Sequence, residues 1–114
     1  MGIRRGFRIA KNLARAGTGS MSDAEKSYRN WRIEASDECF SAFFAAEKGS
    51  GEREFERGRF GYMAEVLPSK KQEYAALEQA QAPAQEHAAD WHRGYAAQRD
   101  EVERRARAAG MPHP

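Results

Sequence analysis

The stretch SDAEKSYRNWRIEASDECFSAFFAA, residues 22–46, decides the class of fold. Ser22-Asp23-Ala24-Glu25 has the spacing of a capping box, in which the serine hydroxyl takes a free amide and the glutamate reaches back. Behind it Tyr28, Trp31, Ala35, Cys39, Ala42 and Ala46 fall on one helical stripe. Ile33, Phe40 and Phe44 form a second stripe, with Phe43 between the two. This spacing predicts a long helix that Gly49-Ser50-Gly51 ends. Its second half is apolar over more than half the circumference, a width that suggests two neighbours rather than one.

The helical reading extends along the chain. Phe55, Tyr62 and Val66, with Phe60, Met63 and Leu67 beside them, predict a shorter helix over about 52–66 that Pro68 stops. Gly58 and Gly61 weaken it by roughly 1 kcal/mol each. Ser69-Lys70-Lys71-Gln72 repeats the capping signal and opens a segment running to about Ala109. Along it Tyr74, Gln81, Ala88, Tyr95 and Val102 recur every seven residues, as do Leu77, Ala84 and Trp91. Pro83 should kink or break this segment, leaving two helices in line, and Gly110-Met111-Pro112 should stop it. Valine and isoleucine are scarce, while alanine, glutamate, arginine and glutamine abound, which disfavours sheets. The expected fold is all-α: an N-terminal amphipathic helix, then a small antiparallel bundle with a long, proline-kinked C-terminal helix.

A chain of 114 residues, 40% apolar and 32% charged, has room for one modest core. The charge is divided unevenly. Residues 1–20 carry Arg4, Arg5, Arg8, Lys11 and Arg15 against no acid, or +5, while the remainder carries 14 basic and 17 acidic residues, or −3. At 100° per residue Ile3, Phe7, Ala10 and Ala14 line up, flanked by Ile9 and Leu13, with the arginines opposite. Gly17-Thr18-Gly19-Ser20 reads as a joint. The expected organisation is therefore a basic arm and joint over 1–20, a helical domain over 21–110 and a tail over 111–114; Met21 could equally be the first residue of the chain. One cysteine excludes an internal disulfide, and the apolar runs are too short to span a membrane.

A two-faced basic helix suits three surroundings: mitochondrial import machinery, an anionic membrane surface, or a large assembly whose RNA phosphates or acidic proteins take the arginines. A helix packed on its own domain is the plainer reading. The contact residues expected for this arm are Arg4, Arg5, Arg8, Lys11, Arg15, Ile3, Phe7 and Leu13.

Other candidates weigh less. Arg57-Gly58-Arg59-Phe60-Gly61-Tyr62-Met63 is similar to the aromatic strand of RNA-recognition domains, but Arg59 stands where an aromatic should follow glycine. It also holds a Gly-x-x-Gly, without the flanking strands of a KH domain. A helix with a core-facing aromatic edge accounts for it better. His87 and Asp90 share a helical face, and His92 turns away from them, so polar residues around a core Trp91 are expected rather than a metal site. Cys39 lies on the apolar stripe beside Asp37 and Glu38, which disfavours a thiolate and fits a core position. Glu52 and Glu56 with Arg53 and Arg57 read as a solvated face. No catalytic residue, cofactor or metal is expected. Trp31, Phe40, Phe43, Phe44 and Trp91 are candidates to face a partner, because large aromatics in excess of one core's needs anchor interfaces.

Ser27-Tyr28-Arg29, near the start of the first helix of a basic-armed three-helix chain, resembles the LYR-motif proteins of mitochondria, with serine in place of the leucine. That resemblance implies an accessory or assembly subunit of respiratory or iron–sulfur machinery. The functional expectation is a non-catalytic accessory subunit of a larger assembly, mitochondrial in a eukaryote and cytoplasmic otherwise. The alternative is a small nucleic-acid-binding or ribosome-associated protein using the arm on phosphates.

Overall fold

The computed structural model describes residues 22–112, and these are all-α, with no strand among them. The arm, with Ile3, Arg4, Arg5, Phe7, Arg8, Lys11, Leu13 and Arg15, lies outside the described residues. Four helices follow one another: α1 (Asp23–Ala45), α2 (Gly51–Val66), α3 (Lys71–Ala80) and α4 (Ala88–Ala108).

Local signals set most of the boundaries. The Ser22 hydroxyl accepts the Glu25 amide and the Glu25 carboxylate accepts the Ser22 amide, both at 3.1 Å, so the capping box forms. Gly49 takes a positive φ of 76° in the turn after α1, and Ser50 starts α2 by accepting the Arg53 amide at 3.1 Å. At the other end Gly110 has φ 74°, its amide donates to the Arg107 carbonyl, and the Met111 amide donates to the Ala106 carbonyl at 2.8 Å. This pair of bonds closes a Schellman motif, and Met111 packs back on the core.

The predicted cap at Ser69 does not form. Pro68–Lys70 make a single 3₁₀ turn, and Lys70 leads into α3 without a side-chain cap on its first amides. Pro83 does break residues 69–109 into two helices, as its position predicts, though not at a single point. Seven residues, 81–87, separate α3 from α4, because Pro83 lacks an amide and restricts the residue before it.

α1 and α2 form an antiparallel hairpin. Arg53 at the start of α2 reaches the Ala46 carbonyl at 2.9 Å, while Phe60 further along meets Phe40, ring centroids 5.3 Å apart. α4 differs from the antiparallel expectation where it meets α2. Phe55 opposes Gly94, and Arg59 donates to Gln98 at 2.9 Å, so both helices run in the same direction. The stretch from Pro68 to His87 makes this possible by carrying the chain back along α2. Two glycines allow the closeness of the pair: a methyl at Gly58 would strike the Trp91 carbonyl, and one at Gly94 the Phe55 carbonyl. α2 is thus the central helix, with α1 and α4 on its flanks, and its stretch Phe60–Ala64 is wholly buried. The core gathers Cys39, Phe43, Phe60, Met63, Leu77, Val102 and Ala106, all at 0% exposure. α1 and α4 meet near one end, where the Arg105 guanidinium lies 4.2 Å over the Trp31 ring.

Candidate interaction faces

α1 is covered on one side only, and its uncovered flank carries apolar residues. Ile33 and Phe44 stay 48% and 49% exposed. Phe40 bridges from this flank to the core: its ring meets Phe44 edge-on at 5.1 Å on one side and Phe60 on the other. The aromatics expected to face a partner therefore divide. Phe44 is exposed, while Trp31, Phe40 and Trp91 are half-buried. Phe43 must be corrected, since it is completely buried, its ring under the guanidinium of Arg53 at 4.3 Å and that of Arg57 at 5.0 Å. Trp91 is held from within: its indole N–H donates to the Tyr74 hydroxyl at 3.1 Å and its ring stacks on Tyr95.

A second face of α1 begins as a groove where the helix passes the end of α4. Ala24, Ser27, Tyr28 and Trp31 line one wall, and Arg105, Ala108 and Ala109 the other. Beyond Trp31 the same helical face continues to Glu34, Glu38 and Ser41. Asp37, on the edge of that face, accepts from Lys70 at 3.1 Å, and this bond raises the lysine's pKa. Glu34 and Glu38 form no ion pair among the described residues. On neighbouring α2, Glu56 pairs with Arg59 at 3.1 Å, yet its carboxyl is held above the usual range. Burial is the main cause; Arg59 pulls the other way, and Glu52 and Glu38 add to the rise.

The charges read as a solvated face on α2 are the largest correction. Arg57 and Glu54 are buried at 0% and 1% exposure, paired at 3.0 Å, with the Arg57 guanidinium also donating to the Gln81 carbonyl at 2.7 Å. Arg53 is buried too, and only Glu52 is exposed. Helical spacing could not reveal this, because the partners that enclose the pair come from α1 and from the loop after α3.

The remaining candidates have structural roles. The Arg57–Met63 stretch is helix, its Phe60, Tyr62 and Met63 turned into the core. Cys39 is buried, and burial pushes its thiol up to about 12. His87 meets Asp90 at 3.2 Å, and Arg93 also pairs with that carboxylate. Among the described residues no three or more His, Cys, Asp or Glu stand close enough to hold a metal ion, and no helix is long and apolar enough to cross a membrane. A cleft of about 200 Å³ lies between α3 and α4, with Tyr74 and Trp91 in its wall; the one buried carboxylate there, Glu54, is already taken by Arg57. Set against known protein families, curated proteins and solved structures, the chain shows no significant match.

Proposed function

We propose that this protein is a non-catalytic accessory subunit of a larger protein assembly, mitochondrial in a eukaryotic cell. The observation that carries the reading is the uncovered flank of α1, where Ile33 and Phe44 hold about half their surface in water beside a core able to bury whole aromatic rings. Exposed aromatic and aliphatic side chains on a rigid helix are the anchors from which interfaces gain most of their energy. The acid-free basic arm supports the placement, since import machinery and anionic surfaces both select such a segment.

The test is the native size of the protein in extracts of its own source. The wild type is expected to migrate in a particle well above its 12.8 kDa monomer mass. Ile33→Asp/Phe44→Asp should return it to monomer size while leaving its thermal midpoint within a few degrees, on the order of a surface change. Wild-type protein at monomer size would refute the reading.

A further inference from the structure

We infer that the uncovered flank of α1 takes a cationic amphipathic helix of another protein, laid along the stretch from Ile33 to Phe44. The apolar part of this seat is a single stripe, because Ile33, Phe40 and Phe44 follow one another at helical spacing. It runs for about 16 Å, three turns of helix. Its rings are held in place from within. Phe40 meets Phe60 of the core at 5.3 Å, and Phe44 meets both Phe40 and the buried Phe43 at 5.1 Å. A partner therefore meets a preformed surface and spends little on ordering it. No strand among the described residues offers an edge, so a helix is the element that fits such a ridge.

Charge sets the rest of the partner. From Ile33 to Ala45, α1 carries Glu34, Asp37 and Glu38 and no lysine or arginine. Lys70 holds Asp37 at 3.1 Å, which leaves Glu34 and Glu38 exposed and without an ion pair among the described residues. By helical spacing both fall to the same side of the apolar stripe, about a third of a turn away. Glu56 of α2, its carboxyl raised first by burial, is raised further by Glu52 and Glu38, so negative potential gathers along this side. The neighbouring cations are engaged elsewhere or stand at the ends. Arg59 pairs with Glu56 at 3.1 Å and donates to Gln98 at 2.9 Å. Arg105, which lies over Trp31 at the inner edge, pairs with Glu101 at 3.1 Å, and Arg32 lies over the Tyr28 ring. Arg29 comes one turn before Ile33 and Lys48 follows the end of α1, so the acidic stretch between them is unbroken.

These charges select among the surfaces an apolar stripe could meet. RNA phosphates and an anionic membrane are repelled by the same two carboxylates. A second copy, laid antiparallel on this flank by a two-fold axis, would bring its own Glu34 and Glu38 to the edge that already holds the first pair. What fits is a helix with aliphatic side chains at i, i+4 and i+7 that cover Ile33 and Phe44. Lysine or arginine along one border of that line then reaches Glu34 and Glu38.

The partner's chemistry rests on the function proposed above, and the two can fail separately. A benzophenone side chain is placed at Ser41, exposed one turn beyond Glu38, and extracts of the native source are irradiated. Mass spectrometry then reads the sequence of the segment joined to it, which is expected to carry lysine or arginine beside aliphatic residues at helical spacing. Alongside, Glu34→Lys/Glu38→Lys should lower the fraction of protein in the large particle on the order of tenfold, with a thermal midpoint unchanged within a few degrees. Reversing the cations of the joined segment to glutamate should restore assembly with that variant and weaken it with the wild type. An intact particle in Glu34→Lys/Glu38→Lys would overturn the cationic partner and leave the accessory role standing. So would a joined segment that is acidic or uncharged, a lipid, or a second copy of this chain. Wild-type protein at monomer size would remove both.

Discussion

At the scale of single residues, packing overrides intrinsic preference. Gly94 sits in the middle of α4, where alanine would ordinarily gain roughly 1 kcal/mol. Its missing side chain is what admits the Phe55 carbonyl of α2. Gly94→Ala is therefore expected to lose about 2 kcal/mol or more in urea unfolding, because a backbone cannot move aside as a flexible side chain can. A gain in stability would show that the two helices do not cross there. Cys39 gives a second residue-scale expectation, in pH. Its thiol ordinarily ionises near 9 but stays protonated in the fold up to about 12, chiefly through burial. A folded-state value raised in this way means stability fully present below pH 9 and lost as pH rises towards 12, by up to about 1.4 kcal/mol per pH unit. Tyr62, pushed up to about 12 mainly by burial, adds its own loss only above 10. Between pH 9 and 10 the downward slope should belong largely to Cys39, and Cys39→Ala should flatten it in a series of chemical melts.

Among elements, what could be read from the sequence was what neighbours in the chain decide. Ser22 with Glu25, and Gly110 with Met111, act within five residues of themselves, and both work as their spacing says. Ser69 shows where such reading stops: the same pattern follows Pro68, whose fixed φ turns the chain into a 3₁₀ step and leaves the hydroxyl without a cap to make. Ser50, read as part of a helix stop, instead starts the next helix. Removing the working caps, Ser22→Ala or Ser50→Ala, should each lower stability by about 1 kcal/mol in thermal melts. Ser69→Ala should change it by less than about 0.5 kcal/mol. Equal losses at all three would mean that the serines matter for some other reason. The buried Arg57–Glu54 pair was out of reach for the opposite reason. Three residues apart on a helix, it has the sequence of a solvated pair, and only Phe43 and the Gln81 carbonyl, 24 residues away, make it internal.

Across the whole molecule, direction and coverage decide which parts open first. The parallel run of α4 beside α2 could not be foreseen, since a proline marks a break and says nothing of the path after it. Its effect is to enclose α2 between two long helices in a body of about 56 × 24 × 19 Å, while α3 is left outside with Leu77 as its one buried residue. Helices held by several apolar neighbours exchange their amides only when the protein unfolds, and thinly anchored ones open on their own. Native-state exchange should accordingly separate the two. Amides of α2 should follow the global unfolding free energy and its full urea dependence. Those of α3 should exchange on the order of a hundredfold faster with a shallower urea dependence, reflecting the small surface that local opening exposes. Were α3 as protected as α2, its ties through the Tyr74 hydroxyl to Trp91 and through Leu77 to the core would have to outweigh its exposure, and the molecule would unfold as one unit.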